Sequence, residues 1–114
     1  GHIIAIGSES ALVAKRKGSL YSASKFALRG FIESMRDELE SSGIKVTIIH
    51  PGMVETPFFR DLFFKPGEHE SEHLKATDVA EAVFYALSQR AGCVIENITL
   101  SPQKKKVLFK KNQN

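Results

Sequence analysis

Two short runs rich in β-branched residues bracket a long apolar stripe, and this arrangement leaves few folds open. The first run is His2-Ile3-Ile4-Ala5-Ile6 and the second is Ile44-Lys45-Val46-Thr47-Ile48-Ile49-His50. Nearly continuous apolar runs of this kind suit strands covered on both faces. Between them Leu28, Phe31, Ile32, Met35 and Leu39 recur at helical spacing, which predicts a helix over 20–42 with Gly43 as its carboxyl-terminal cap. Strand, helix and strand with short joints make a βαβ unit, hence parallel strands and a right-handed crossover. Gly30 interrupts the helix at a cost of about 1 kcal/mol relative to alanine, which suggests close approach of another backbone.

Beyond the second run, Pro51-Gly52 ends the strand. Residues 53–76 are irregular, with an aromatic patch at Phe58, Phe59, Phe63 and Phe64. A segment of this length reads as a binding lid over 55–76. Thr77-Asp78 is then expected to cap a helix carrying Val79, Ala82, Val83, Ala86 and Leu87 in phase, and 96–100 is expected to be the last strand. The formal charge of +3 is concentrated after that strand, in the lysines between Lys104 and Lys111. Residues 102–114 are expected to form a solvated basic tail, with no nucleic-acid or membrane partner. No apolar run approaches the ~20 residues that span a bilayer. Cys93 is the only cysteine, so an internal disulfide is excluded and a reducing, cytoplasmic setting is expected.

In open parallel α/β sheets, ligands sit beyond the carboxyl ends of the strands. Ser8 follows the first strand, the stretch from Pro51 to Thr56 follows the second, and Tyr21 opens the helix between them. All three are therefore expected to face one crevice. Tyr21 and Lys25 are four residues apart and share a helix face. An ammonium near a phenol favours the phenolate, which would make the pair a proton donor and acceptor usable near neutral pH. The plain alternative is a lysine snorkelling to solvent from a helix start. His69-Glu70-Ser71-Glu72-His73 has the spacing of a zinc-protease helix. It lies in a polar stretch with no apolar stripe, so no metal is expected there.

Ser8, Tyr21 thirteen positions later, Lys25 four after that, and Pro51-Gly52-x-Val54-x-Thr56 beyond the next strand resemble the second half of a short-chain dehydrogenase/reductase. The resemblance spans roughly 1–101. It implies an α/β fold, the C-terminal half of a Rossmann-like doubly wound parallel sheet. The implied activity is an oxidoreductase that interconverts a carbonyl and an alcohol by hydride transfer with NAD or NADP, with a slight lean to NADP. Tyr21 would be the general acid/base, and Lys25 would lower its pKa and hydrogen-bond the nicotinamide ribose. Ser8 would hold the substrate oxygen. Main-chain groups of Pro51, Gly52, Met53 and Val54, with the Thr56 hydroxyl, would touch the nicotinamide carboxamide. Ser10 would line the substrate side or be a turn residue, the patch from Phe58 to Phe64 suggests either a partly apolar substrate beside Phe58 or rings that pack the lid shut, and His50 would be a strand-end residue near the cofactor.

The resemblance also implies a homo-oligomer, a dimer or tetramer, and a small carbonyl or alcohol substrate. The family's Gly-rich fingerprint, its cofactor-selecting residue and its catalytic asparagine have no counterpart. They are expected upstream of Gly1, so the chain is expected to be a piece of a longer domain, inactive when isolated. The rival class is a dehydrogenase-fold binding or regulatory protein without turnover, and the joint presence of Ser8, Tyr21 and Lys25 argues against it.

Overall fold

Strand β2 (Lys45–Pro51) is hydrogen-bonded on both sides and covered on both faces. Val46, Thr47, Ile48, Ile49 and His50 are each no more than 1% exposed. The computed structural model describes residues 1–9 and 19–110. β1 (His2–Ile6) pairs parallel with β2, with Ile4 opposite Thr47 and Ile6 opposite Ile49. β4 (Asn97–Leu100) pairs parallel on the other side, with Ile49 opposite Ile98 and Pro51 opposite Leu100. The order is therefore β1-β2-β4, with the three carboxyl ends on one edge.

Helix α1 (Ser19–Leu39) covers the face that carries Val46 and Ile48. Ile32 is buried there, with Leu28, Met35, Leu39 and Ala5 packed around it. Four of the five stripe residues make this contact, whereas Phe31, expected in the same stripe, is 64% exposed. Helix α2 (Ala76–Leu87) also packs against β2 and buries Ala82 and Ala86, whose small side chains allow a close approach. The polar group inside this layer is satisfied. Thr47 donates its hydroxyl to the Ile95 carbonyl at 2.6 Å and lies 2.7 Å from His2 Nε2. Since the hydroxyl hydrogen is engaged, His2 must donate from Nε2.

Several elements differ from the sequence expectation. α1 ends at Leu39, and a 3-10 turn, Glu40–Ser42, intervenes before Gly43. Gly43 does cap, at φ 72°, with its N–H on the Glu40 carbonyl. No backbone approaches Gly30: nothing among the described residues lies within 4 Å of where its Cβ would be. The reason is phase, because Gly30 sits about 200° around the helix from both Leu28 and Ile32. Thr77-Asp78 is not the cap of α2. Lys75 is the N-cap residue, and Asp78 reaches back to accept its N–H at 2.8 Å.

The basic tail is not a free terminus over its described length. Val107–Phe109 forms β5, antiparallel to β3 (Phe64–Pro66), with Phe64 opposite Phe109 and Pro66 opposite Val107. The apolar triplet between the lysines takes the strand, and the lysines flank it. Residues 53–76 likewise hold structure, with 3-10 turns at Pro57–Phe59 and Glu70–Glu72. The ends of the segment meet in a parallel bridge between Val54 and Leu74.

Two outcomes are expected. Because Gly30 faces open space, Gly30→Ala should stabilise the protein by about 0.5–1 kcal/mol, read by denaturant unfolding. His2 has its pKa lowered from 6.5 by burial first, then by Lys45. The fold therefore favours neutral His2. Its contribution to stability should be constant above about pH 6.5 and decline as pH falls through the lowered folded value. His2→Gln should remove that slope.

Candidate active site

The loops that leave β1, β2 and β4 meet at the carboxyl edge of the sheet. Gly7 N–H bonds the Ile49 carbonyl at 2.7 Å and Gly52 N–H bonds the Leu100 carbonyl at 2.8 Å, so the ladders run up to the loops. A Cβ on Gly52 would lie 3.1 Å from both Glu9 Oε2 and Pro102 Cδ. Position 52 is thus the point where all three loops touch. Ser8, directly after β1, is buried. Glu9 beside it is mostly buried, its side chain 18% exposed, and its Oε2 lies 3.9 Å from Lys105 Nζ.

Helix α1 brings Tyr21 to the same edge. Arg36 donates from Nε to the Val46 carbonyl at 3.0 Å and from Nη2 to the Glu96 carbonyl at 2.7 Å, so the late turns lie at the amino ends of β2 and β4. Tyr21 is fifteen residues earlier, about 22 Å along the axis at 1.5 Å per residue. That is about the length of a seven-residue strand. Tyr21 is 44% exposed, and Lys25 folds over it with Nζ 5.5 Å from the ring centroid, within cation–π range.

Two polar atoms in this region are buried without a hydrogen-bond partner, Ser22 Oγ and His50 Nδ1. His50 is enclosed at the end of β2, with Nε2 3.1 Å from Asn97 Oδ1 and its Nδ1 against Gly7. Asn97 was invisible to the sequence reading, because its role depends on the register between β2 and β4. Ser10, and the basic stretch 15–17, lie outside the described residues.

After Gly52 the chain takes up the bridge to Leu74. Leu74 N–H bonds the Met53 carbonyl at 2.9 Å, and Glu55 N–H bonds the Leu74 carbonyl at 2.8 Å. In a parallel bridge of this kind the N–H and C=O of the central residue, Val54, point away from the partner. Met53 therefore has its carbonyl engaged, and Val54 presents both main-chain groups to the other side. Thr56 Oγ1 accepts the Phe58 N–H at 3.3 Å and caps the Pro57–Phe59 turn, leaving its own hydroxyl hydrogen to donate. Phe58 is 60% exposed. The other aromatics pack on one another, Phe59 on Phe58 and Phe64, and Phe63 on Phe64 and Phe109.

The histidines of the 69–73 segment do not share a helix face. His69 Nδ1 accepts Ser71 N–H, and Glu72 accepts His69 N–H, as a capping box on a 3-10 turn. That N–H and the nearby Lys106 ammonium hold the Glu72 carboxyl below its ordinary pKa, against a smaller opposing effect of desolvation. His73 is buried between the Gly67 carbonyl, 2.9 Å from Nδ1, and Glu55 Oε2, 3.2 Å from Nε2. Two clefts of about 600 and 550 Å³ flank α2 and the lid, and neither is lined by Ser8, Tyr21 or Lys25. No helix among the described residues is long and apolar enough to cross a membrane.

Residues 1–66 match the family model for short chain dehydrogenase. An uncharacterized oxidoreductase of Staphylococcus saprophyticus is 38% identical over 102 residues, which cover 90% of this chain and 42% of the relative. The chain thus spans about two-fifths of the length of that curated relative. Serine dehydrogenase from Escherichia coli superposes with a TM-score of 0.70 at 29% identity, covering 88% of this chain and 39% of that one. A closed form of serine dehydrogenase complexed with NADP+ gives 0.67 at 29% identity, over 89% and 43% of the two chains. A 4-hydroxyisoleucine dehydrogenase complexed with NADH gives 0.71 at 27% identity, over 90% and 45%. These likenesses agree with the Rossmann-like α/β reading.

Adding a methyl group at the meeting point of the three loops should be costly. Gly52→Ala is expected to lower stability by about 1–3 kcal/mol, because Pro102 and Leu100 are ring and backbone and cannot swing aside. A thermal melt of the variant reads this directly.

Proposed function

The chain belongs to the short-chain dehydrogenase family, and from that premise we propose that it carries the proton-transfer and substrate-holding residues of a carbonyl/alcohol oxidoreductase. Relatives and structural neighbours are named as oxidoreductases and dehydrogenases, which supports the reaction class. The observation that supports the reading is the lysine laid over the Tyr21 ring, on a helix whose amino end is directed to the carboxyl edge of the sheet.

A nicotinamide nucleotide, NAD or NADP, fits the groups present. The outward N–H and C=O of Val54 match the donor and acceptor of a carboxamide, and Thr56 keeps a hydrogen to donate. Lys25 can reach a ribose hydroxyl from the helix turn below. When bound, the nicotinamide would supply or accept the hydride. The chain's own part is position and proton.

In the reducing direction the Tyr21 hydroxyl gives its proton to the carbonyl oxygen of the substrate. In the oxidising direction the Tyr21 oxygen takes the proton of the alcohol. Lys25 stabilises the negative tyrosyl oxygen by charge, an effect that grows as water is excluded. Ser8, held by burial, donates to the substrate oxygen and fixes its distance from Tyr21. Ser10 and Phe58 belong on the substrate side, with Phe58 as the apolar rim. The outward face of α1, where Leu20 and Phe31 stay exposed, is where we place contact with a second copy of the protein.

The test is carbonyl reduction by the full-length protein with either nicotinamide cofactor. Tyr21→Phe removes the proton and keeps the ring, so it should lower kcat by about 100-fold or more with the fold unchanged by circular dichroism. A loss of less than about tenfold would remove Tyr21 from the mechanism, and absence of turnover in the parent protein would favour a non-catalytic binding role.

A further inference from the structure

We propose that residues 102–110 are a strap that holds the lid in place over the carboxyl edge, and that Lys105 and Lys110 are its positioning residues. The inference rests on the reading above only for the claim that substrate lies beneath the lid.

The path of the chain is the first support. The strap leaves β4 at the carboxyl edge, where Pro102 is buried and its ring lies against Gly52. It then meets the lid at successive points. Lys104 N–H bonds the Ser71 carbonyl at 2.7 Å, and Gly67 N–H bonds the Lys106 carbonyl at 3.0 Å. β5 lies along β3, and Lys110 N–H closes the ladder on the Phe63 carbonyl at 2.8 Å. A two-stranded ribbon is marginal by itself. Further fasteners are therefore needed, and the lysines supply them.

Lys110 Nζ donates to the carbonyls of Phe59, at 2.6 Å, and Arg60, at 2.9 Å. These carbonyls end the Pro57–Phe59 turn, and that of Phe59 also accepts the Leu62 N–H at 3.2 Å. One ammonium thereby fixes the turn that carries Phe58 and Phe59. Lys106 lies 3.6 Å from Glu72 on the opposite side of the lid. Lys105 is different, because its acid is Glu9, the residue after Ser8. The strap therefore touches both the lid and the serine loop, and can hold one against the other.

Loosening a tail that merely added stability would lower the melting temperature and leave substrate binding alone. Loosening a strap that positions the lid should do the reverse. The experiment compares full-length protein with Lys105→Met, Lys110→Met and Lys110→Arg. Amide exchange at Gly67 and Lys110 should accelerate by about tenfold in Lys110→Met, with the melting temperature nearly unchanged. KM for the carbonyl substrate should rise about 5-fold in each methionine variant, with kcat and the cofactor KM within about 2-fold, and Lys110→Arg should restore both readouts.

Unchanged exchange in Lys110→Met overturns the strap, and faster exchange with an unchanged substrate KM overturns the positioning role. Should Lys110→Met fail to fold, Lys105→Met reads the same KM through a lysine that is itself exposed and makes no ladder hydrogen bond through its side chain. Absence of turnover in the parent protein would count against the dehydrogenase reading alone, and the exchange measurement would still decide the strap.

Discussion

The complete burial of β2 is the constraint from which the rest follows. Its backbone is hydrogen-bonded to β1 and β4, and its side chains are covered on both faces, so it has one place and one direction. Parallel neighbours then put three carboxyl ends on a single edge, and the helix joining β1 to β2 must run back against them. The amino end of α1 arrives at that edge for the same reason. The loops after β1, β2 and β4 meet there at Gly52, although they lie far apart in the chain.

The two edges of the sheet are built differently. At the amino edge, polar groups are tied to main-chain carbonyls: Arg36 to Val46 and Glu96, and Lys45 to Arg90 and Cys93. These charge-assisted bonds fasten both helical layers to the strands. At the carboxyl edge the pattern reverses. Tyr21 is half exposed, and Ser22 and His50 each keep a buried atom without a protein partner. Buried unpaired polar atoms are costly, and among the described residues both such side-chain atoms, Ser22 Oγ and His50 Nδ1, lie away from the amino edge.

What was legible in the sequence was what depends on local periodicity. The β-branched runs, the stripe from Leu28 to Leu39, the Gly43 cap and the Tyr21–Lys25 spacing each report on neighbours within a few residues. Gly30 was misread because its cost was weighed without its phase on the helix, which the same stripe already defined. The tail was misread because its lysines outweighed Val107-Leu108-Phe109, a triplet whose partner strand lies some forty residues earlier. Asn97, Glu9 and the Val54–Leu74 bridge were hidden for the same reason. Their roles arise from register and loop packing between distant segments, which no local pattern encodes.

The lid and its strap form a second hydrogen-bonded system, since β3 and β5 make a sheet separate from the three-stranded one. Its lysines are exposed, although the acids they meet, Glu9 and Glu72, are mostly buried, and Gly67 is a tight spot where a Cβ would come within 2.6 Å of Glu72. Ion pairs of this kind contribute little each, typically about 0–1 kcal/mol. A few such contacts can be rearranged at small cost, whereas β2 cannot be disturbed without opening the core. The molecule thus has two parts of unequal firmness: the buried strand fixes the direction of the sheet and its loops, and the segment between β2 and α2 is held by contacts that can be exchanged at small cost.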